Sequence, residues 1–539
     1  MKNRFITKGI AVATLMAMGS TSVYAEEQRY IIKYKDGFGA SVKSNVLANG
    51  GKNQTSLDRR NMVAAKLSQK ALEQMQNNPN VEYVEVDPIR RLMAESTPYG
   101  ITMVQANQVS DDMVSNRKVC IVDTGYDLGH EDLISSGVTG DDGYGSNDTG
   151  NWYNDGHGHG THVAGTISAL GGNNKGVVGV SDNGQLQLHI VKVFNDSGSW
   201  AYGSDLIAAV DQCVAAGSNV ISMSLGGGGA NSTESNAFQA FTDAGGLVLA
   251  AAGNDGNNVR SYPAGYSSVM MVGANDADNN IADFSQFPSC TTTTGKGKKR
   301  QTITDETICV EITAGGVDTL STYPADMATS ASMTADGQAF ASSAMENAGS
   351  ASGSTYFMGT AESIDGGANG SICVIDRGAI SFHDKVKNCE DSGGIGAILI
   401  NNEAGMLYGT LGDTNATTIP AVGAALEDRA ALVAASNAMI NIGTSDYGYM
   451  SGTSMATPAV SGVAALVWSN HTECTGTEIR DALKATAEDS GAAGHDVYFG
   501  HGIAKAKAAH DYLTANGCSG GGVTPPPAGD ITASASVGW

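Results

Sequence analysis

Three short segments, far apart in the chain, each place a chemically capable residue where a regular element must stop or start. Lys118-Val119-Cys120-Ile121-Val122 is an apolar, β-prone run that reads as a buried strand, and Asp123-Thr124-Gly125 ends it. In an open α/β sheet that carboxyl edge is where functional side chains gather. Thr161 to Leu170 is small and apolar, which predicts a buried helix with His159 at its entry. Gly452-Thr453-Ser454-Met455-Ala456-Thr457-Pro458 leads into Ala459-Val460-Ser461-Gly462-Val463, a second buried helix. Ser454 stands at its amino end, where backbone N–H groups face developing negative charge. Gly246-Leu247-Val248-Leu249-Ala250-Ala251-Ala252-Gly253-Asn254 reads as a strand ending in an amide. Strand and helix patterns alternate from about residue 94 to 300, so the fold class is α/β, a parallel sheet with helices on both faces.

A serine hydroxyl is a weak nucleophile at neutral pH. It needs a base to take its proton, and the base needs a carboxylate to fix its tautomer and stabilise its cation. Asp123, His159 and Ser454 supply these parts in the order acid, base, nucleophile. Singly they are ambiguous: Asp-Thr-Gly also fits a turn, and His157 and His162 compete with His159. In conjunction, in that order and with those flanks, the chain resembles the subtilisin-like serine proteases, or subtilases.

The resemblance implies a secreted serine endopeptidase of broad specificity acting on protein and peptide substrates. Ser454 would attack, His159 would shuttle the proton, Asp123 would orient His159, and Asn254 with the Ser454 amide would hold the oxyanion. Ser224, Leu225, Gly226 and Gly227 resemble the extended segment that pairs with substrate backbone as an added strand. Asp255, with Arg260 nearby, is expected to tune charge preference at the primary pocket. The rival class is a catalytically silent subtilase-fold module that binds protein. An esterase would need a Gly-x-Ser-x-Gly elbow around its nucleophile, which Ser454 lacks.

Lys2, Arg4 and Lys8 precede an apolar stretch from Ile10 to Met18 and the small-residue end Val23-Tyr24-Ala25, so residues 1–25 read as a secretory signal peptide. Residues 26–93 resemble the α+β inhibitory propeptide of the family, with strands at 29–34 and 81–86 and a helix at 61–76. The protein's own propeptide is thus an expected inhibitor. Ala94 to Ile101 is similar to a mature subtilisin start, which implies autocleavage after Met93 with Leu92 in the next subsite. Arg90 departs from the apolar residue usual at the fourth subsite. Residues 94–316 and 443–518 then form the catalytic domain, and 317–442 an insertion between Asn254 and Ser454. Its runs Ser371 to Gly378, Phe382 to Asp391, Gly393 to Asn402 and Thr418 to Val422 resemble a protease-associated (PA) domain, a non-catalytic lid or substrate platform. Residues 519–539, with Gly520-Gly521-Gly522 and Pro525-Pro526-Pro527, read as a linker.

The formal net charge of -24 argues against a nucleic-acid or anionic-membrane partner, and a monomer is expected. The one strong basic run, Lys296 to Arg300, reads as a solvated loop. Eight cysteines in an exported chain favour disulfides. Cys373–Cys389, Cys290–Cys309 and Cys474–Cys518 are plausible pairs, which leaves Cys120 and Cys213 either paired or, for Cys120, an inert buried thiol. By resemblance, Asp132, the Leu170 carbonyl, Glu95 and either Asn173 or Asn174 would hold a structural Ca2+, whose preference is for oxygen ligands. Asp141, Asp142, Asn147, Asp148, Asn154 and Asp155 form either a second calcium site or a solvated loop.

Overall fold

The structure, a computed structural model, describes residues 28–86, 95–142, 149–198, 201–294, 299–412 and 415–518. The signal peptide, the expected cleavage at Met93 with Leu92 and Arg90, the tail 519–539, Asn147, Asp148 and Lys296 to Lys298 lie outside these residues. The chain divides into two units, one ending at Leu92 and the other beginning at Met93.

The first unit is a four-stranded antiparallel sheet in the order Lys52–Leu57, Met62–Leu67, Gln28–Tyr34, Val81–Val86, with helices Gly39–Ala48 and Gln69–Gln76. The helix expected over 61–76 is only half there. Met62–Leu67 is a strand because Val63 and Ala65 face the core while the backbone pairs with Gln28–Tyr34. Pairing overrides the helix propensity of that alanine-containing run. Ser68 then caps the helix, its hydroxyl accepting from the Ala71 amide at 3.3 Å.

In the second unit seven parallel strands run in the order Ile312–Gly315, Val269–Asn275, Leu247–Ala251, Val220–Met223, Lys118–Asp123, Gln187–Lys192, Val138–Asp142. Period-two alternation serves both faces. Val119 and Ile121 join a core with helices His159–Ser168, Thr453–Ser469 and Ala506–Asn516, while Cys120 and Val122 join one with Gly203–Ala215 and Ser232–Asp243. Cys120 is no free thiol. It bonds Cys213 on the facing helix, and Cys290–Cys309, Cys373–Cys389 and Cys474–Cys518 complete the set.

The insertion folds on an eight-stranded mixed sheet whose strands run from Ala328 to Ser445, with helix Phe382–Asp391 on it. It is entered and left through an antiparallel ribbon, Thr319–Thr322 against Tyr447–Met450. Thr291–Thr294 and Gln301–Thr304 form an exposed ribbon flanking the basic run. Among the described residues no helix is long and apolar enough to cross a membrane.

One buried ion pair ties the sheet edge to the last helices. Glu311, fully buried, accepts from Arg480 Nε at 2.8 Å and also from Nη2, with Lys484 Nζ 3.8 Å away. Removing one partner of such a pair strands the other charge in the interior. Glu311→Gln should therefore cost about 3–5 kcal/mol in denaturant unfolding. A loss below about 1 kcal/mol, the size of an exposed pair, would show that the site is hydrated.

Candidate active site

Asp123, Ser224 and Asn254 lie at or just past the carboxyl ends of three adjacent strands, and His159 and Ser454 open two helices that face them. The approach is close enough to require glycine. A Cβ on Gly160 would stand 2.2 Å from the Gly125 carbonyl oxygen, and Gly125 itself has φ +119° with Asn154 O 3.0 Å from its Cβ position. His159 Nδ1 consequently reaches Asp123 Oδ1 at 2.8 Å. The carboxylate can only accept, so Nδ1 carries the proton and Nε2 keeps its lone pair.

Asp123 is 1% exposed, and its Oδ1 also accepts from the Thr124 amide at 2.8 Å. Burial by itself would lower the His159 pKa. The charge of Asp123, its hydrogen bond and the more distant Asp155 outweigh burial, and the net shift is upward. His162 behaves oppositely. Burial, then the charge of His159, pushes it down to about 3. As a neutral ring its Nε2 lies 2.9 Å from Thr319 O and 3.2 Å from Gly448 O, a structural donor rather than a rival base. His157 lies beside His159 at 6.2 Å between ring centroids and bonds to neither Asp123 nor Ser454 among the described residues.

Asp155 belongs to this corner. Its Oδ1 accepts from Thr124 Oγ1, His157 N and Gly158 N at 2.9, 3.1 and 2.9 Å, and its Oδ2 from Thr161 N and Oγ1 at 2.9 and 2.7 Å. Asp142 accepts from the Trp152 amide and Asp141 lies 3.2 Å from His189 Nε2, so the described acidic residues before His159 do not converge on one point.

Asn254 Oδ1 accepts from both the amide and the hydroxyl of Thr453 at 2.9 Å. Both acceptor directions of Oδ1 being taken, Nδ2 lies beside Gly452, whose Cβ position is 3.3 Å from it. Thr453 also accepts from Gly253 N at 3.1 Å. Its role was not visible in the sequence. Ser454 Oγ donates to Ser224 O at 3.1 Å, and Ser224 Oγ donates back to Ser454 O at 2.7 Å. The second bond has a cause. Pro458 sits inside the helix four residues after Ser454 and offers no N–H, so the Ser454 carbonyl loses its helical donor and a hydroxyl replaces it. Among the described residues no hydrogen bond joins Ser454 Oγ to His159.

Leu225, Gly226 and Gly227 follow the sheet, with Gly226 and Gly227 exposed and Gly227 N bonded to Tyr262 O at 2.9 Å. Asp255 is exposed beside Asn254. Arg260 does not serve a pocket: its guanidinium binds the carbonyls of Ile308 and Ser289 at 2.8 and 2.7 Å.

Asp132, Asn173, Leu170 and Glu95 come together elsewhere. Asp132 Oδ1 accepts from Asn173 Nδ2 at 2.6 Å, Asp132 O from Leu170 N at 3.0 Å, and Glu95 Oε1 from Asn173 N at 3.1 Å. Asn174 is exposed at φ +59°, and these bonds come from Asn173. Burial and the charge of Glu95 push the Asp132 pKa up, against the hydrogen bonds it accepts.

A profile of the subtilase family matches residues 115–355 and 408–502, more than half of the chain. The chain belongs to the subtilase family. A PA domain profile matches residues 334–432, inside the insertion. The subtilase is 37% identical to subtilisin J of Geobacillus stearothermophilus over 293 residues, 52% of this chain and 74% of the relative. It is 36% identical to subtilisin E of Bacillus subtilis (strain 168) over the same shares. The crystal structure of the psychrophilic subtilisin-like protease Apa1 from the Antarctic psychrotroph Pseudoalteromonas sp. AS-11 superposes with TM-score 0.65 at 38% identity, covering 79% of this chain and all of that one. The protein is a subtilisin-like serine endopeptidase with an inserted PA domain, and its substrates are proteins.

Ser224→Ala leaves the Ser454 carbonyl without a donor while sparing the backbone oxygen that receives Ser454 Oγ. We expect kcat on a peptide substrate to fall about tenfold to a hundredfold through misplacement of the serine, with KM little changed, and Ser224→Thr to restore most of it. Equal kcat in Ser224→Ala would show that the helix start needs no such tether.

Proposed function

We propose that this subtilase is a secreted endopeptidase of broad specificity, synthesised as a self-processing preproenzyme and active as a monomer outside the cell. The observation that carries the catalytic assignment is the His159 Nδ1–Asp123 Oδ1 bond, which leaves Nε2 unprotonated at the mouth of the helix pair. Ser454 Oγ turns from the Ser224 carbonyl to His159 Nε2, gives up its proton and attacks the scissile carbonyl carbon. Asn254 Nδ2 and the Ser454 amide receive the oxyanion. The imidazolium returns the proton to the leaving amine, the C–N bond breaks, and an acyl-enzyme remains. Water, deprotonated by the same nitrogen, then releases the acid and regenerates the serine. Ser224 to Gly227 would pair with substrate backbone, and Asp255 stands where it can bias charge beside the oxyanion donor.

In the same reading residues 1–25 direct export, 26–93 chaperone and then inhibit, 94–316 and 443–518 catalyse, 317–442 form the PA domain that receives or excludes substrate, and 519–539 are a linker. Four disulfides suit an oxidising compartment.

Calcium is part of the proposal. Hard oxygen donors from Glu95, Asp132, Asn173 and Leu170 suit Ca2+, and the upward push of Glu95 on Asp132 is relieved by a cation between them. Its contribution would be structural: it would pin the mature amino-terminal segment to the loop after the His159 helix.

A fluorophosphonate probe followed by peptide mapping tests the nucleophile. One adduct on Ser454 is expected. Because the active form has neutral His159 and its pKa is raised, labelling should fall as pH drops through a midpoint above the ordinary histidine value of about 6.5. Asp123→Asn should move that midpoint down and slow labelling by about 10^4. Absence of an adduct on folded protein would overturn the assignment and favour a silent binding module.

Calcium removal from the probe-inhibited enzyme should lower its melting temperature, and calcium should restore it in the parent more readily than in Glu95→Gln. Equal calcium response in both would exclude Glu95 as a ligand.

A further inference from the structure

Two imidazoles and one carboxylate meet far from the chemistry. Glu306, His495 and His501 each present a ligand atom, and these atoms all lie within 4.8 Å of one another. His501 Nε2 is 3.5 Å from Glu306 Oε2, and the two rings sit edge to face with centroids 4.8 Å apart. Ligands on a tetrahedral ion with bonds near 2.0–2.1 Å stand about 3.3 Å apart, so a small side-chain rotation closes the set.

Neither ring is otherwise engaged. Among the described residues the polar neighbour of His495 is the disulfide sulfur of Cys309, 3.8 Å from Nε2, which has no proton to give and accepts weakly. Among the described residues His501 has no hydrogen bond to its ring beyond the long approach to Glu306.

The supports are rigid. Glu306 stands on a helical turn capped by Asp305, which accepts from Thr307 N at 3.0 Å, and closed by the Cys290–Cys309 bridge. His495 and His501 flank a tight hairpin in which Asp496 N donates to Gly500 O and Gly500 N to Asp496 O, both at 3.0 Å. His501 N is held by Glu311 O at 2.8 Å. A site on fixed elements gains metal affinity because little must be ordered on binding.

We infer that Glu306, His495 and His501 form a binding site for a divalent transition metal of the zinc type, with a fourth position open to water. Two imidazoles and a carboxylate suit a borderline ion and not calcium. The bound ion would clamp the segment after the exposed ribbon to the carboxyl-terminal loop, and it would raise resistance to unfolding in proportion to the free metal.

The test uses the mature enzyme, inhibited at Ser454 to prevent autolysis, with calcium present throughout so that the other metal site stays loaded. Zinc is titrated by calorimetry, bound metal is counted by elemental analysis, and cobalt(II) absorbance reports coordination. The parent should bind about one zinc ion with two imidazoles in its shell, melt at higher temperature with zinc, and give cobalt bands that zinc abolishes. His501→Ala should lose all three responses. Because the His501 backbone anchors the sheet edge, Glu306→Gln at the exposed carboxylate is the second variant, and it should weaken zinc binding without changing the metal-free melting temperature. The inference is overturned if the parent binds no zinc, or if both variants bind it as the parent does. Protease activity enters none of the readouts, so the outcome is independent of the catalytic assignment.

Discussion

The site depends on a buried carboxylate that lies outside the Asp123–His159 pair. A helix start leaves amide protons without partners, and a strand end leaves a chain reversal to be fixed. Asp155 answers both by accepting the amides of Gly158 and Thr161 and the hydroxyl of Thr124. Thr124 Oγ1 in turn accepts from Gly160 N at 2.8 Å. Charge-assisted bonds of this kind are strong and directional. They make the end of one strand and the entry of one helix a single rigid corner, and Gly125 and Gly160 let the corner close. From below, Lys192, 1% exposed, donates to Thr124 O, Asn154 O and Asp196 Oδ1 at 2.6, 3.0 and 2.8 Å. The distance between Asp123 and His159 is thus set by backbone geometry.

The serine is held by a second corner built on a defect. Pro458 removes a helical hydrogen bond one turn beyond Ser454, and the hydroxyl of Ser224, arriving from the neighbouring strand end, fills the vacancy. The reciprocal bond from Ser454 Oγ to Ser224 O parks the nucleophile. Thr453 links the same helix start to Gly253 and Asn254, so Asn254 and Ser454 share one support. Preorganised donors of this sort stabilise charge without reorganising when it develops.

How much of this was legible in the sequence follows from range. Asp123, His159, Asn254 and Ser454 could be placed on strand ends and helix starts because periodicity and glycine are local signals. The helpers could not. Asp155 before the histidine looks like any loop aspartate, and Ser224 and Thr453 bond to residues about two hundred positions away. Arg260 looked like a pocket charge until its carbonyl partners were known. Residues 61–76 carried helix-forming alanines, yet Met62–Leu67 pairs as a strand because Gln28–Tyr34 offers it an edge. Asn173 and Asn174 were inseparable by sequence, since only the left-handed turn at Asn174 decides which amide faces Asp132. The disulfides were legible in part because three pairs lie close in sequence, whereas Cys120 and Cys213 needed the sheet to meet.

The insertion raises a different question, namely how a second sheet can be placed between Asn254 and Ser454 without loosening either. The cost of an inserted loop grows slowly with its length once its ends are held together. Here Thr319–Thr322 and Tyr447–Met450 hold them as paired strands. That ribbon lies on the helix that carries His159: Ser321 Oγ donates to His162 O at 2.8 Å and Thr322 Oγ1 to Thr161 O at 2.9 Å. His162 completes the grip with its ring, whose Nε2 lies against the Thr319 and Gly448 carbonyls, and burial, then the charge of His159, keep that ring neutral. The stem therefore fixes the His159 helix through neutral hydrogen bonds and adds no charge to it. An insertion anchored in this way gives the catalytic domain a clamp on the helix it most needs to hold.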